Sequence, residues 1–188
     1  MKLQEIKKTL LFLLVFLVLL TAVYPAVVTL IGRVAFSSQA SGSLITASGQ
    51  TIGSELIGQP FSAPGYFWPR PSATGSTPYD STASGGSNFG PTNPALLDEV
   101  NGAAQTLRDS GVSGDLPMDL VTSSGSGLDP DISLESALVQ APRVAAARNL
   151  PESRVEALIN DHLQSRTLGF LGTERVNVLQ LNLALDKL

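Results

Sequence analysis

The residue types that carry out chemistry are sparse in this chain, and they do not fall at the spacings that chemistry requires. There is one histidine, His162, and no cysteine among 188 residues. A lone His cannot assemble a His-rich metal site, and without Cys there is no thiol catalysis, disulfide or thiolate-ligated metal. A Ser/His/Asp triad can be composed on paper, but no serine stands in a GxSxG elbow that would expose a nucleophile. His162 follows Val155, Leu158 and Ile159 at helical spacing, which reads as a partly buried packing residue. No phosphate-cradling GxxxxGKS/T loop is present, and no GxGxxG follows a strand. The small-residue turn Ser84-Gly85-Gly86-Ser87-Asn88 offers several backbone donors that could cradle an anion. It has no nearby Lys, and a tight turn explains it more simply. Asp129-Pro130-Asp131, with Ser124 and Ser126, gathers oxygens that could hold a cation, but EF-hand spacing is absent and acids at a helix start give the same pattern. The expectation is no catalytic residue and no metal.

The element that must position everything else is at the N-terminus. Residues Thr9 to Gly32 carry no charged side chain, and Lys7 and Lys8 stand directly before them. As a helix, that run is about 36 Å long, enough to cross a hydrocarbon core of about 30 Å. A cleaved signal peptide has a shorter apolar core ending at a small-x-small site. The nearest small-residue stretch here, Ser37 to Ser43, lies beyond Arg33. An uncleaved single span is expected, with Pro25 in its outer part. Lys2, Lys7 and Lys8 keep residues 1–8 cytoplasmic, so 33–188 is expected to be extracytoplasmic. The span contains no acid, base or His and so offers no ion pathway of its own.

From Val34 onward there are eight Lys and Arg against fifteen Asp and Glu, a net charge of −7. That disfavours nucleic acid and anionic lipid as partners. A cation-attracting surface and a merely soluble acidic surface both fit it. The length suffices for one domain with a sizeable core. Residues 36–59 suggest two short strands, or a strand and a turn, around Leu44-Ile45-Thr46 and Leu56-Ile57. Residues 60–92 are rich in Pro, Gly, Ser and Thr, yet hold six of the eleven aromatics: Phe61, Tyr66, Phe67, Trp68, Tyr79 and Phe89. A disordered linker is poor in aromatics, so this reads as a long ordered loop, either functional or covering the domain's own core. Asn93-Pro94 opens a helix with Leu96, Leu97, Val100, Ala104 and Leu107 on one face, and Gly111 ends it. Residues 116–122 read as a strand, and 123–131 as a turn-rich loop. Ser133 caps a helix to about Gln140, which Pro142 interrupts; Pro151 begins another. Leu179, Leu181 and Leu183 alternate with polar residues, as in a half-buried strand from about Val176. The fold class expected is α+β: one N-terminal transmembrane helix, then one extracytoplasmic α+β domain.

Six strings carry a resemblance. GSELIGQPF (53–61), YFWPRPSA (66–73), SGGSNFGPTNP (84–94), DLVTSSGSGLDPDIS (119–133), QAPRVAAAR (140–148) and RVNVLQLNLAL (175–185) occur in this order behind the span. With them the chain resembles the C subunit of the Kdp-type potassium-transporting ATPase over essentially its whole length. Where that family often has an acid after the last Gly of the GFLG turn, this chain has Thr173 and then Glu174.

The resemblance implies an accessory, non-catalytic subunit of a potassium import complex in the plasma (inner) membrane. It implies as partners a channel-like potassium-binding subunit, a P-type ATPase subunit and a small single-span subunit. It also implies a role in assembly and as a catalytic chaperone that raises the pump subunit's affinity for ATP. Charge-based topology puts residues 84–88 on the opposite side of the membrane from cytosolic ATP, so the expected effect is indirect. Docking through loop 60–92, with Tyr66, Trp68 and Arg70 foremost, is the expected route, since Tyr, Trp and Arg are enriched at interface hot spots. An anchored carbohydrate-binding module is the alternative.

Overall fold

The structure, a computed structural model, describes residues 3–47 and 49–188. They form two compact units, residues 1–44 and 45–188. The first is dominated by one helical run, Leu3–Ala35, which exceeds the expected span at both ends. It consists of α1 (Leu3–Val18), a π-helical turn (Leu19–Val23) and α2 (Tyr24–Ala35), followed by a short α3 (Ser37–Ala40). The run is long and apolar enough to cross a membrane, and none of its side chains is buried by the rest of the chain. The π turn has a local cause. Pro25 has no N–H to give to a preceding carbonyl, and the ladder widens just before it, so that the Tyr24 N–H donates to Leu19 O. The Thr21 hydroxyl donates to Leu17 O at 2.6 Å in the same stretch.

Strands β1 (Leu44–Ala47), which begins at the unit boundary, and β2 (Gln50–Ser54) pair as a two-stranded sheet. Here β1 falls on the first expected apolar cluster, whereas Leu56-Ile57 lies after β2 in a turn. Helix α4 (Pro94–Asp109) forms as expected. Asn93 Oδ1 accepts from the Ala95 N–H at 3.0 Å, and Gly111 leaves the helix at φ +97°. Its inward face is Val100, Ala103, Ala104 and Leu107, while Leu97, expected on that face, is 62 % exposed.

Three expected elements differ. Residues 116–122 are not a strand: Met118–Val121 is a short helix, α5. Its neighbours Leu120 and Val121 are both buried, which one helical turn allows and the two-residue period of a strand does not. Asp119 fixes the turn by accepting from the Ser133 N–H (2.7 Å) and the Ser136 hydroxyl (2.5 Å). Helix α6 (Leu134–Arg148) continues past Pro142 without interruption. Pro142 is on the exposed side, where the carbonyl it leaves unpaired can be hydrated, while Ala141, Val144 and Ala145 stay in the core. The alternating leucines near the C-terminus are helical as well. β5 is only Arg175–Asn177, and Asn177 Oδ1 then caps α8 (Val178–Leu185) through the Gln180 N–H. Val178, Leu179, Leu181, Asn182 and Leu185 are buried, a helical set.

A three-stranded antiparallel sheet, in the order β3 (Asp131–Ser133), β5, β4 (Leu163–Gln164), packs with α6, α7 (Glu152–Asp161) and α8. Ile132 stands opposite Val176, and Leu163 opposite the other side of Val176. The core is Ile132, Val144, Val155, Ile159, Val176, Leu181 and Leu185, closed by Phe67 from the long loop. The α+β class expected of the sequence is therefore observed.

Candidate functional site

Loop 60–92 contains no helix or strand, yet two successive residues of its backbone, Phe67 and Trp68, are paired as in a strand. The amide of Asn182, on α8, accepts from the Phe67 N–H (2.9 Å) and donates to the Phe67 carbonyl (3.0 Å). One residue on, Gln140 of α6 does the same for Trp68: its Oε1 accepts from the N–H at 2.8 Å, and its Nε2 donates to the carbonyl at 3.1 Å. Asn182 and Gln140 are 1 % and 0 % exposed. Two buried side-chain amides thus stand where a neighbouring strand would, and satisfy groups that would otherwise cost about 1–3 kcal/mol each.

Two arginines fasten the same segment. Arg143 donates to the carbonyls of Pro64 (2.5 Å) and Tyr66 (3.1 Å) and to Gln140 Oε1 (2.8 Å), and its guanidinium lies 4.6 Å from the Trp68 ring centroid. Burial lowers its pKa to about 10, which leaves it charged at neutral pH. Arg148 donates to Gly65 O (2.6 Å) and pairs with Asp186 at 2.6 Å; its guanidinium lies over the Tyr66 ring, whose hydroxyl also donates to Asp186. Further along, Arg70 pairs with Asp129 at 2.9 Å. The Tyr79 hydroxyl donates to the Arg70 carbonyl (2.5 Å), and burial, with Asp129 adding to it, holds the phenol well above its ordinary range. A cavity of about 240 Å³ between this loop and α4 is lined by Phe61, Trp68, Arg70, Tyr79, Leu107 and Leu120, among others.

The structure gives each sequence candidate a specific setting. Tyr66, Trp68 and Arg70 are half-buried and all lie on the fastened segment. The turn Ser84 to Asn88 lies against residues 123–127: the Gly85 N–H and the Ser84 hydroxyl both donate to Ser126 O, at 2.8 and 3.1 Å. The approach is tight at Gly127, where φ is +67° and a Cβ would come within 2.7 Å of both Gly85 O and Thr74 Cγ2. Asp129 and Asp131 are engaged by Arg70 and Arg175, each at 2.9 Å, and Asn177 also donates to Asp131. These ion pairs, rather than a helix start, account for the two acids. Among the described residues no group of three His, Asp or Glu side chains is placed to hold a metal. His162 caps the end of α7, half-buried, with Nδ1 2.9 Å from Leu158 O.

Gln140, Arg143, Arg148 and Asn182 were not legible as candidates. The available signal was a polar residue set within a mostly apolar helical stripe, as with Asn182 among Val178, Leu179, Leu181 and Leu185.

Residues 6–187 match the family model KdpC: K+-transporting ATPase, c chain. The potassium-transporting ATPase KdpC subunit of Geobacter sulfurreducens is 55 % identical over 186 residues, covering 98 % of both chains. That of Paraburkholderia phytofirmans is 54 % identical over 182 residues, covering 94 % of this chain and 95 % of its own. That of Methylococcus capsulatus is 53 % identical over 187 residues, covering 98 % of each.

Proposed function

This chain belongs to the KdpC family, the c chain of the K+-transporting ATPase, and on that premise we propose how an accessory, non-catalytic subunit contributes to potassium import. It is held in the plasma (inner) membrane by the span Thr9 to Gly32, with residues 1–8 cytoplasmic and 33–188 outside. Its partners are a channel-like potassium-binding subunit, a P-type ATPase subunit and a small single-span subunit. By docking on the outer face of the channel-like subunit it favours one conformational state of the complex. A higher ATP affinity of the pump subunit then follows by linkage, without contact between this chain and the nucleotide.

The observation that carries the reading is the family match over residues 6–187. The fastening of Tyr66 to Arg70 supports docking through that segment, because a surface already rigid loses little entropy on association. The turn Ser84 to Asn88 then acts as a packing turn against 123–127, not as an ATP cradle.

The test is a Trp68→Ala, Arg70→Ala chain co-expressed with the partner subunits. Reduced complex recovery or reduced potassium affinity is expected while circular dichroism shows the fold retained. A folded variant with unchanged assembly and transport overturns docking through this segment. Labelling a Ser87→Cys chain in intact cells tests the topology: labelling from outside is expected, and labelling only from inside reverses it.

A further inference from the structure

The turn between β4 and β5 is built unlike the rest of the second unit. Residues 165–174 are all exposed, and among them Leu168 is 79 %, Phe170 69 % and Leu171 49 % exposed. Elsewhere among the described residues of 45–188 the exposed large hydrophobics stand singly in the sequence: Leu56, Phe89, Leu97, Met118, Leu138 and the terminal Leu188. Here three occur within four residues. Their presentation is fixed by the backbone. The N–H of Thr167 donates to Leu171 O and that of Leu171 to Thr167 O, both at 2.9 Å, and the Gly169 N–H donates to Arg166 O at 3.0 Å. Leu168 takes φ +55°, a conformation a bulky side chain rarely adopts and that the closed turn imposes.

The charge around the turn also departs from its surroundings. Residues 34–188 carry −7, but between Asp161 and Glu174 there is no acid, and Arg166 is the one formal charge. An apolar tip with a single cation at its lip complements a phospholipid surface: the hydrocarbon side chains enter below the phosphates, and the guanidinium stays among them. The second unit is tied to an anchor helix by residues 36–44, which span at most about 30 Å fully extended. That short tether keeps lipid at a high local concentration.

We propose that the Leu168–Leu171 tip seats in the headgroup–acyl boundary of the bilayer, as a second and reversible membrane contact. This rests on the reading of residues 9–32 as the membrane anchor.

The chain has no cysteine, so single labels are clean. Thr167→Cys carries a polarity-sensitive fluorophore beside the tip, and Val15→Cys carries it in the anchor as a control. Both full-length proteins are reconstituted in phosphatidylcholine–phosphatidylglycerol vesicles, with and without shallow nitroxide lipids. A blue-shifted tip label quenched by the nitroxide is expected. Adding Leu168→Ser and Phe170→Ser should lower the seated-to-free ratio about tenfold or more. A quenched anchor label beside an unquenched tip label overturns the tip contact and leaves the anchor standing. Failure of both to quench overturns the anchor reading itself. A tip label that becomes dry only in the assembled complex, without nitroxide quenching, assigns the tip to a protein partner and likewise overturns the proposal.

Discussion

Asn182 and Phe67, 115 residues apart, exchange two hydrogen bonds that make one side-chain amide the strand partner of one backbone unit. Gln140 does the same for Trp68, so α6 and α8 together set the path of the loop.

Replacing either amide with an apolar residue of similar size therefore strands a buried N–H and a buried C=O. Asn182→Leu and Gln140→Leu should each cost about 2–5 kcal/mol. Urea unfolding of the detergent-solubilised chain measures this. Emission of the sole tryptophan, Trp68, should shift to the red in Gln140→Leu.

Arg143 joins Pro64, Tyr66 and Gln140 through one planar fork while facing Trp68. Lysine keeps the charge but cannot hold the three acceptors together. Arg143→Lys should consequently lose about 2–4 kcal/mol, close to the loss in Arg143→Met. A lysine variant with wild-type urea midpoint and Trp68 emission would show that charge alone suffices.

Two glycines with positive φ separate backbone strain from close approach. Gly111→Ala adds a Cβ in open space and should cost about 1–2 kcal/mol for the left-handed conformation alone. Gly127→Ala meets Gly85 O and Thr74 Cγ2 as well, and overpacking adds about 1–3 kcal/mol. Thermal unfolding of the pair should rank Gly127→Ala clearly lower.

Burial first, and Asp129 second, raise the pKa of Asp131 above its ordinary 3.8, against the opposing effect of Arg175. Between the unfolded and folded values the native state holds more proton than the unfolded one. The contribution of this group to stability therefore falls as pH rises through that window. Asp131→Asn should flatten the fall, because it cannot ionise and its Oδ1 can still accept from Asn177. Urea midpoints from pH 4 upward for both chains decide it; parallel curves would refute the assignment.

Much of this was written in local signals. The charge-free run from Thr9, the Asn93-Pro94 helix start and the dense aromatics of 60–92 each announced an element or an ordered loop. The failures share one origin. Leu179, Leu181 and Leu183 alternate as a strand would, and residues 116–122 do so nearly as well, so a two-residue period misled at both places. Leu120 and Val121, like Val178 and Leu179, are sequence neighbours buried together, and only the surrounding core shows that. Pro142 misled for the converse reason: its cost depends on which side of the helix meets water.

The sequence alone determined the long apolar N-terminal run, the acidic body, the absence of cysteine chemistry and the order of strings that marks the family, because each resides in residue identity and short-range spacing. Tertiary structure decided what Tyr66, Trp68 and Arg70 rest on. A backbone unit without a strand neighbour must find its hydrogen bonds wherever the fold brings a donor and an acceptor together. That Gln140 and Asn182 supply them depends on how α6 and α8 pack, which no local pattern encodes.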